Sequence, residues 1–419
     1  MPMQKSENIT YDAVVIGGGA SGMLAAGRAA ERGLRVLLLE KNHYLGEKLK
    51  LTGGGRCNIT NAEFDRQILL SNYGEGKDYL FSPFSQFGVQ STFDFFTIHG
   101  LPLVIEARKR AFPKTQNAED VVAVLENYLK TTGVVIKTKA PVTRIITKKD
   151  KIVGVEALGV EYTTKAVILA TGGLSHPETG STGDGMRWLS KLGHSVRQPS
   201  PTVVPLAVAE DWVKELSGVS LTFMKITFFV DGKRAFSKTG KILFTHFGLS
   251  GPLIMNSAGK VKALLEQGKV TAKIDAFPDT DLGVLEKQIV KVFDANKNKD
   301  LKNIFKEIVP EGTDKGILSL VEIIEDIKVH SVTKEQRKMI VHLLKSLPVT
   351  IIGLMGYDRA IVSDGGVSLA EIDMKTMRSK IHPNLYITGD LLDINRQSGG
   401  FSLQLCWTTG YVAGNSVGG

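Results

Sequence analysis

The stretch that most constrains this chain is residues 11–40, YDAVVIGGGASGMLAAGRAAERGLRVLLLE. An apolar run, Ala13-Val14-Val15-Ile16, meets a glycine turn, Gly17-Gly18-Gly19. Small residues then predict a helix from Ala20 to about Arg32, and a second apolar run over 36–39 ends in Glu40. Strand, tight turn, helix, strand and acid make the β-α-β unit that holds an adenine dinucleotide. Each part has a physical task. Gly17 permits the turn, Gly19 leaves the backbone bare for a pyrophosphate, and Gly22 lets helix and strand pack closely. The helix N-terminus, with Ala20 and Ser21, offers unpaired N–H groups and a partial positive charge. Glu40, 18 residues beyond Gly22, is spaced to accept ribose hydroxyls. The alternative is a purely structural crossover. Glycines that follow a strand, open a helix and precede an acid favour the dinucleotide. The unit alone does not separate FAD from NAD.

Bulk properties bound the rest. With 419 residues, 42% hydrophobic and 23% charged, the composition is that of a soluble globular protein of two or three domains. No apolar run reaches the ~18–20 residues of a membrane span. The first ten residues are polar and lack a signal-peptide core. The two cysteines, Cys57 and Cys406, form neither a disulfide framework nor a CxxC motif. A cytoplasmic setting is expected, and no metal. The net charge of +9 fits nucleic acid, an anionic cofactor or plain solubility. The densest lysines, in 287–306, read as the solvated face of amphipathic helices, with no interleaved aromatic platform.

Beyond Glu40, the loop KNHYLGEKLKLTGGGRCNITN combines Gly53-Gly54-Gly55 with Arg56 and Asn58, which suits a cofactor wall better than a plain surface loop. Residues 62–115 read as mainly helical, with their phenylalanines in the core. An amphipathic helix is expected over 117–130 and strands over 134–138, 142–147 and 152–157, with a turn at 159–163. Residues 165–173, KAVILATGG, form a buried strand that runs into Thr171-Gly172, and TGSTGDG follows as a covering loop. SPTVVP at 200–205 is a hinge. Strands of an antiparallel barrel are expected over 221–230, 241–244 and 270–275, helices over 282–293, 301–308, 317–327 and 334–347, and returning strands over 349–354 and 360–362. The end regains α/β character. A strand at 385–388 leads into Gly389-Asp390, and Gly399-Gly400 opens a final helix with Phe401-Ser402-Leu403-Gln404. Asp390 suits ribityl hydroxyls, and the helix N-terminus suits an electron-rich flavin edge, so FAD becomes the expected cofactor.

These segments resemble the BaiN-like flavoproteins, also called the aminoacetone oxidase family. The matches are GGGASG with Glu40-Lys41, LTGGGRCNITN at 51–61, RAFPKTQNAEDVV at 110–122, ATGGLSHPETGSTGDG at 170–185, LFTHFGLSGP at 243–252 and LYITGDLLDINRQSGGFSLQ at 385–404. The resemblance implies an α/β fold. A Rossmann-like FAD domain (1–198 and 365–419) carries an inserted β-barrel-like domain (199–279 and 348–364), itself bearing a helical subdomain (280–347). It places Gly17, Gly19, Ala20, Ser21 and Gly22 at the pyrophosphate, and Glu40 and Lys41 at the adenosine side. Arg56, Cys57 and Asn58 approach flavin or pyrophosphate, with Lys48 and Gly54 also counted as cofactor-binding. Val142 flanks adenine, Thr171 and Gly172 sit beside the cofactor, and Gly389, Asp390, Gly400, Phe401, Ser402 and Leu403 hold ribityl and isoalloxazine. The chain departs from the family where Asp390 replaces Glu, Arg396 replaces Gly, Ser402 replaces Asn and His176 replaces Tyr. The substrate side therefore does not carry over.

Flavin does the hydride work while the protein positions and tunes it. Acid–base candidates are His246, His176 and Arg396, each with a stronger structural reading. Cys57 lacks a nearby cysteine for a thiol relay. No second complete GxGxxG unit is present, so NADH or NADPH would dock only transiently. The expectation is an FAD-dependent oxidoreductase that reduces or oxidises a conjugated C=C bond of a small molecule held between the two main domains. Its alternatives are an amine oxidase of the aminoacetone type and an RNA-binding or RNA-modifying flavoprotein, or a flavoprotein without turnover. Neither nucleic acid nor membrane is the expected partner.

Overall fold

The computed structural model describes residues 10–419 apart from 322 and 325. The described residues divide into two compact units, residues 10–201 with Ile361–Gly419, and Thr202–Ala360.

The first unit is built on a seven-stranded sheet. Ala13–Ile16 lies between Val36–Leu39 and Val167–Leu169, parallel to both. Val135–Lys137 extends the sheet beyond Val36–Leu39, and Leu385–Ile387 extends it beyond Val167–Leu169, again in parallel. The central strands are apolar throughout because both faces are covered, and they are fully buried. The helix Ala20–Glu31 follows the first strand. The C-terminal helix Phe401–Ser416 packs across it. Two glycines one turn apart set that crossing. A Cβ on Gly410 would lie 2.4 Å from the Ser21 carbonyl oxygen, and one on Gly414 would lie 2.4 Å from that of Ala25. Only glycine lets the two backbones meet so closely.

A buried polar chain fixes the start of the C-terminal helix. Thr60 and Thr92 donate to the Gln404 Oε1 (2.6 and 3.0 Å), and Gln404 Nε2 donates to Thr408 Oγ1 (3.1 Å). Trp407 Nε1 donates to the Ile59 carbonyl at 2.9 Å. The glycine loop after the second strand and the final helix thus form one rigid corner.

The 62–115 region is less helical than expected. Helices Arg66–Leu70, Phe81–Gln86 and Val89–Ile98 form, but Thr60–Asn61, Leu103–Glu106 and Arg110–Pro113 make a small antiparallel sheet. These strands are too short to show a period. The turn expected at 159–163 is instead a strand, Val160–Thr163, paired with Lys151–Ala157. The turn is Leu158-Gly159, both at positive φ, a tight hairpin connection that leaves the next residues free to pair.

The second unit holds a closed barrel in the order Leu206–Val208, Gly248–Ser250, Lys233–Thr245, Ser220–Val230, Val270–Asp275 and Leu347–Leu354. The strand expected over 241–244 is the end of a thirteen-residue strand, Lys233–Thr245. Helices Leu282–Ala295, Leu301–Ile304, Asp314–Leu318 and Lys334–Leu344 interrupt the barrel before its last strand. Thr333 and Gln336 cap the last of these reciprocally. The helix expected over 317–327 ends at Leu318. Val321, Ile323, Ile324 and Ile327 are β-branched and poor helix formers, and the apolar spacing reflects loop residues such as Val321 and Ile323 buried in the core. Positions 322 and 325 of that expected helix lie outside the described residues. No helix among the described residues is long and apolar enough to cross a membrane.

Candidate functional site

One cavity in the first unit gathers residues from six separate stretches of the chain. It runs from the Gly17–Gly19 turn, past Glu40 and Lys48, to Asp390 and Cys406.

At one end the walls are backbone. Gly17, Gly18, Gly19, Ala20 and Ser21 bring in the turn and the helix N-terminus. Gly17 sits at φ +106°, and a Cβ there would strike the Ala170 carbonyl oxygen at 2.5 Å. A Cβ on Gly19 would meet no protein atom within 4 Å. Glu40 is buried and braces the turn, with Oε2 accepting the Gly18 N–H (2.6 Å) and Oε1 the Asn42 N–H (2.8 Å). A carboxylate has about four acceptor positions, so this bracing leaves capacity for hydroxyls. Lys41 donates to Thr182 Oγ1 (2.6 Å) and Asp184 Oδ2 (2.8 Å). Ala140, Pro141 and Val142 close this end.

At the other end the walls carry charge. Lys48, Thr171, Gly172, Asp390, Ser402, Leu403 and Cys406 line it. Lys48 Nζ donates to Ser175 Oγ at 3.2 Å and has no ion-pair partner among the described residues. Burial pulls its ammonium below the ordinary lysine value, opposed by the Asp390 carboxylate. Asp390 is ion-paired with Arg396, which is itself buried. Arg396 also donates from Nε to Ser402 Oγ (3.0 Å) and from Nη1 to the Ile394 carbonyl (2.9 Å). The hydroxyl of Thr171 is buried without a hydrogen-bond partner.

The remaining expected residues stand behind these walls. Gly22 packs rather than lines, since a Cβ there would lie 1.9 Å from the Gly17 carbonyl oxygen. Gly54, at φ +67°, holds the glycine loop. Arg56 turns away from the cavity. Its Nη1 donates to Glu106 (3.0 Å) and Gln116 (2.9 Å), and its guanidinium lies 4.1 Å over the Phe112 ring. Cys57 is fully buried, and burial pushes its thiol up to about 12. Oriented to satisfy its neighbours, the Asn58 amide accepts the Gly400 N–H at 3.0 Å. Gly389 donates its N–H to Thr409 (3.0 Å), and Phe401 accepts from the Tyr73 hydroxyl (2.9 Å). Gly400, at φ +104°, brings the helix start against Thr60, where a Cβ would approach within 2.3 Å.

None of the three acid–base candidates lines the cavity. His176 pairs with Glu178 at 2.8 Å, Arg396 stands behind Asp390, and His246 is exposed in the barrel unit, edge-on to Phe247. The reading from sequence also missed lining residues. Thr179, Gly180, Ser181 and Asp184 come from the TGSTGDG loop, read only as a cover. Its closely spaced glycines, Gly180, Gly183 and Gly185, were the available signal. Trp188 and Cys406, on helices, carried none.

The site fits FAD on its own terms. The bare backbone at Gly19 leaves space where a side chain would intrude, Thr171 has an unused hydroxyl, and Lys48 brings a buried amine with no ion-pair partner among the described residues toward an anionic or electron-rich group. The family described as HI0933-like protein Rossmann domain matches over residues 11–416. The chain belongs to this family. It is an FAD-dependent oxidoreductase. The HI0933-like chain is 29% identical over 406 residues to the 3-dehydro-bile acid delta(4,6)-reductase of Clostridium scindens, covering 96% of this chain and 98% of that one. It is 25% identical over 407 residues to the ribosomal RNA dihydrouridine synthase of Escherichia coli, covering 97% and 98%. A 3-ketosteroid delta1-dehydrogenase structure from Sterolibacterium denitrificans shares the fold, with a TM-score of 0.56 at 14% identity, over 97% of this chain and 99% of that one.

Proposed function

We propose that the protein reduces a ring C=C bond conjugated to a carbonyl. The carrying observation is that two relatives, aligned over nearly their whole lengths, are named for one chemistry on different rings. A delta(4,6)-reductase of a 3-dehydro-bile acid and a dihydrouridine synthase both saturate a C=C bond in conjugation with a carbonyl.

FAD, when bound, supplies the hydride donor. The chain's residues hold and tune it. The Gly17–Gly19 turn and the helix start at Ala20 and Ser21 take the pyrophosphate, and Glu40 takes the ribose. Asp390, fixed by Arg396, and the helix start at Ser402 and Leu403 orient the ribityl and ring portions. Lys48 places a positive charge where reduction adds negative charge. Burial beside Asp390 pushes the Cys406 thiol up to about 12, so it stays neutral, and Cys57 likewise. A thiolate relay has no support. NADH or NADPH docks transiently as the electron source.

Anaerobic photoreduction of the holoprotein, followed by substrate, tests this. A 3-oxo-4,6-diene steroid or a uridine should restore the oxidised flavin spectrum faster than air does. Rapid re-oxidation by air, with no response to any conjugated carbonyl, would instead establish an oxidase and sink the proposal.

A further inference from the structure

The chain's positive charge is not spread evenly. Residues 220–275 contain nine Lys and Arg against three Asp and Glu, whereas residues 276–360 contain thirteen of each. The lysine-dense stretch 287–306 carries six lysines against two aspartates, and acids flanking it bring the wider segment to neutrality. Several cations in and around it are ion-paired, as in Lys328–Asp300 and Lys297–Asp294. Most of the surplus sits instead on one hairpin of the barrel and its neighbours. None of those nine cations forms an ion pair among the described residues. Of the three acids, Asp275 pairs with Lys345 from outside the stretch, and Asp231 is held by the Lys269 N–H.

Strand geometry sorts these charges. In Ser220–Val230, Ile226 and Phe228 point into the barrel and are fully buried. Lys225, Thr227 and Phe229 therefore point outward. The register carries the outward row across the sheet. Thr227 faces Ser237 on one side and Lys273 on the other, and Phe229 faces Arg234 and Thr271. Lys273 lies 5.7 Å from the centre of the Phe229 ring. Phe223, on the same strand, is half exposed. Behind the hairpin, Lys238 reaches the Asn256 carbonyl (3.3 Å) and Lys260 lies 5.7 Å from the Phe236 ring. No carboxylate balances this second pair. Burial, and then the nearby Lys260 charge, hold the Lys238 ammonium below its ordinary value.

We propose that the outer face of the hairpin Ser220–Thr245, with the adjoining strand Val270–Asp275, is a docking surface for single-stranded RNA. Unpaired Lys and Arg at sheet spacing take successive phosphates, hydroxyls from Thr227, Ser237 and Thr271 accept and donate around them, and Phe229 and Phe223 offer faces on which bases stack. An anionic membrane would use the charge but not the ordered row of hydroxyls between the cations. The surface stands apart from the flavin reaction proposed above. RNA carries uracil, whose ring C=C bond is conjugated to a carbonyl, so an RNA partner would bring a substrate of the proposed class.

Fluorescence anisotropy of the FAD-loaded full chain with labelled oligouridine tests the surface. At low salt the protein should bind, and the triple change Lys225→Ala, Arg234→Ala, Lys273→Ala should weaken binding by about tenfold or more. The salt slope should fall by about 2, three contacts at ~0.7 each. A control triple, Lys287→Ala, Lys291→Ala, Lys306→Ala, should bind like the parent. Should the first triple fail to fold, the exposed pair Lys225→Gln, Lys273→Gln carries the same test with a slope change of about 1.4. No RNA binding at low salt, equal loss in both triples, or displacement of the RNA by anionic vesicles at equal phosphate overturns the proposal. Binding is scored without turnover, so this result and the enone result stand or fall separately.

Discussion

The two ends of the flavin cavity are built by different physics. The end at Gly17–Ser21 is made of backbone, and it works by leaving side chains out. The end at Lys48, Asp390 and Arg396 works by putting charged side chains in, and it holds them by burial and mutual pairing. The first end is a local product of thirty consecutive residues. The second draws on residues from the 40s, the 170s and the 390s, and it exists only once the chain has folded. A shape-built end should fail by steric intrusion, whatever the salt. A charge-built end should fail by uncompensated charge, and its failures should respond to salt and pH.

The largest expected effect is at the charged end. Arg396→Leu leaves the Asp390 carboxylate partly buried without its partner and should cost about 3–5 kcal/mol of stability, read by urea unfolding. A loss below about 1 kcal/mol would mean that Lys48 substitutes for the arginine and that the pair is not structural. Next comes Gly19→Val. Its φ of −85° is open to any residue, so the fold should survive, while the new side chain enters the cavity. FAD affinity should fall by about 100-fold or more, ~3 kcal/mol, in fluorescence titration. A folded variant that keeps its yellow colour through gel filtration would remove the shape argument. Lys48→Met should weaken FAD by about tenfold, ~1.4 kcal/mol, and should flatten the salt dependence of binding, which Gly19→Val should leave unchanged. Equal salt dependence in the two variants would erase the distinction between the ends.

The smallest effect concerns Cys57. Its thiol goes from the ordinary 9.0 to about 12 on folding. Below pH 9 both states are protonated and nothing changes. Above it the unfolded chain releases a proton that the folded chain keeps, so stability falls with rising pH up to about 12. Cys57→Ala should show a shallower alkaline decline in thermal midpoint, and parallel declines would place the titration elsewhere.

The same contrast explains what was legible in the sequence. Gly17, Gly19, Gly22 and Glu40 are separated by fixed spacings that backbone geometry demands, so strand, turn and helix could be read directly. Barrel strands over 221–230 and 270–275 were visible from their apolar pattern, and the final helix from Gly399-Gly400 and the small residues that follow, whereas the three-residue strands Leu206–Val208 and Gly248–Ser250 were too short to read. Lys48 carried no local sign of burial, because burial is set by segments more than a hundred residues away. Arg56 looked like a cofactor ligand beside three glycines, yet Glu106 and Gln116 claim it. The strand Val160–Thr163 was hidden because its turn is Leu158-Gly159, and leucine at positive φ is not a turn signal. Lysine density points to 287–306, whereas the larger surplus lies over 220–275, with nine cations against three acids.

The crossing of the first helix by the C-terminal one, through Gly410 and Gly414, has a consequence for synthesis. The ribosome makes the glycine turn at the start and the segment that completes the cavity some 370 residues later. At about 5–20 residues per second, tens of seconds separate them. Throughout that interval the nascent first helix keeps a bare stripe at Ser21 and Ala25 with nothing to cover it. The cavity is therefore completed only once Asp390 and the helix Phe401–Ser416 have been made, and a chain stalled before them should emerge colourless.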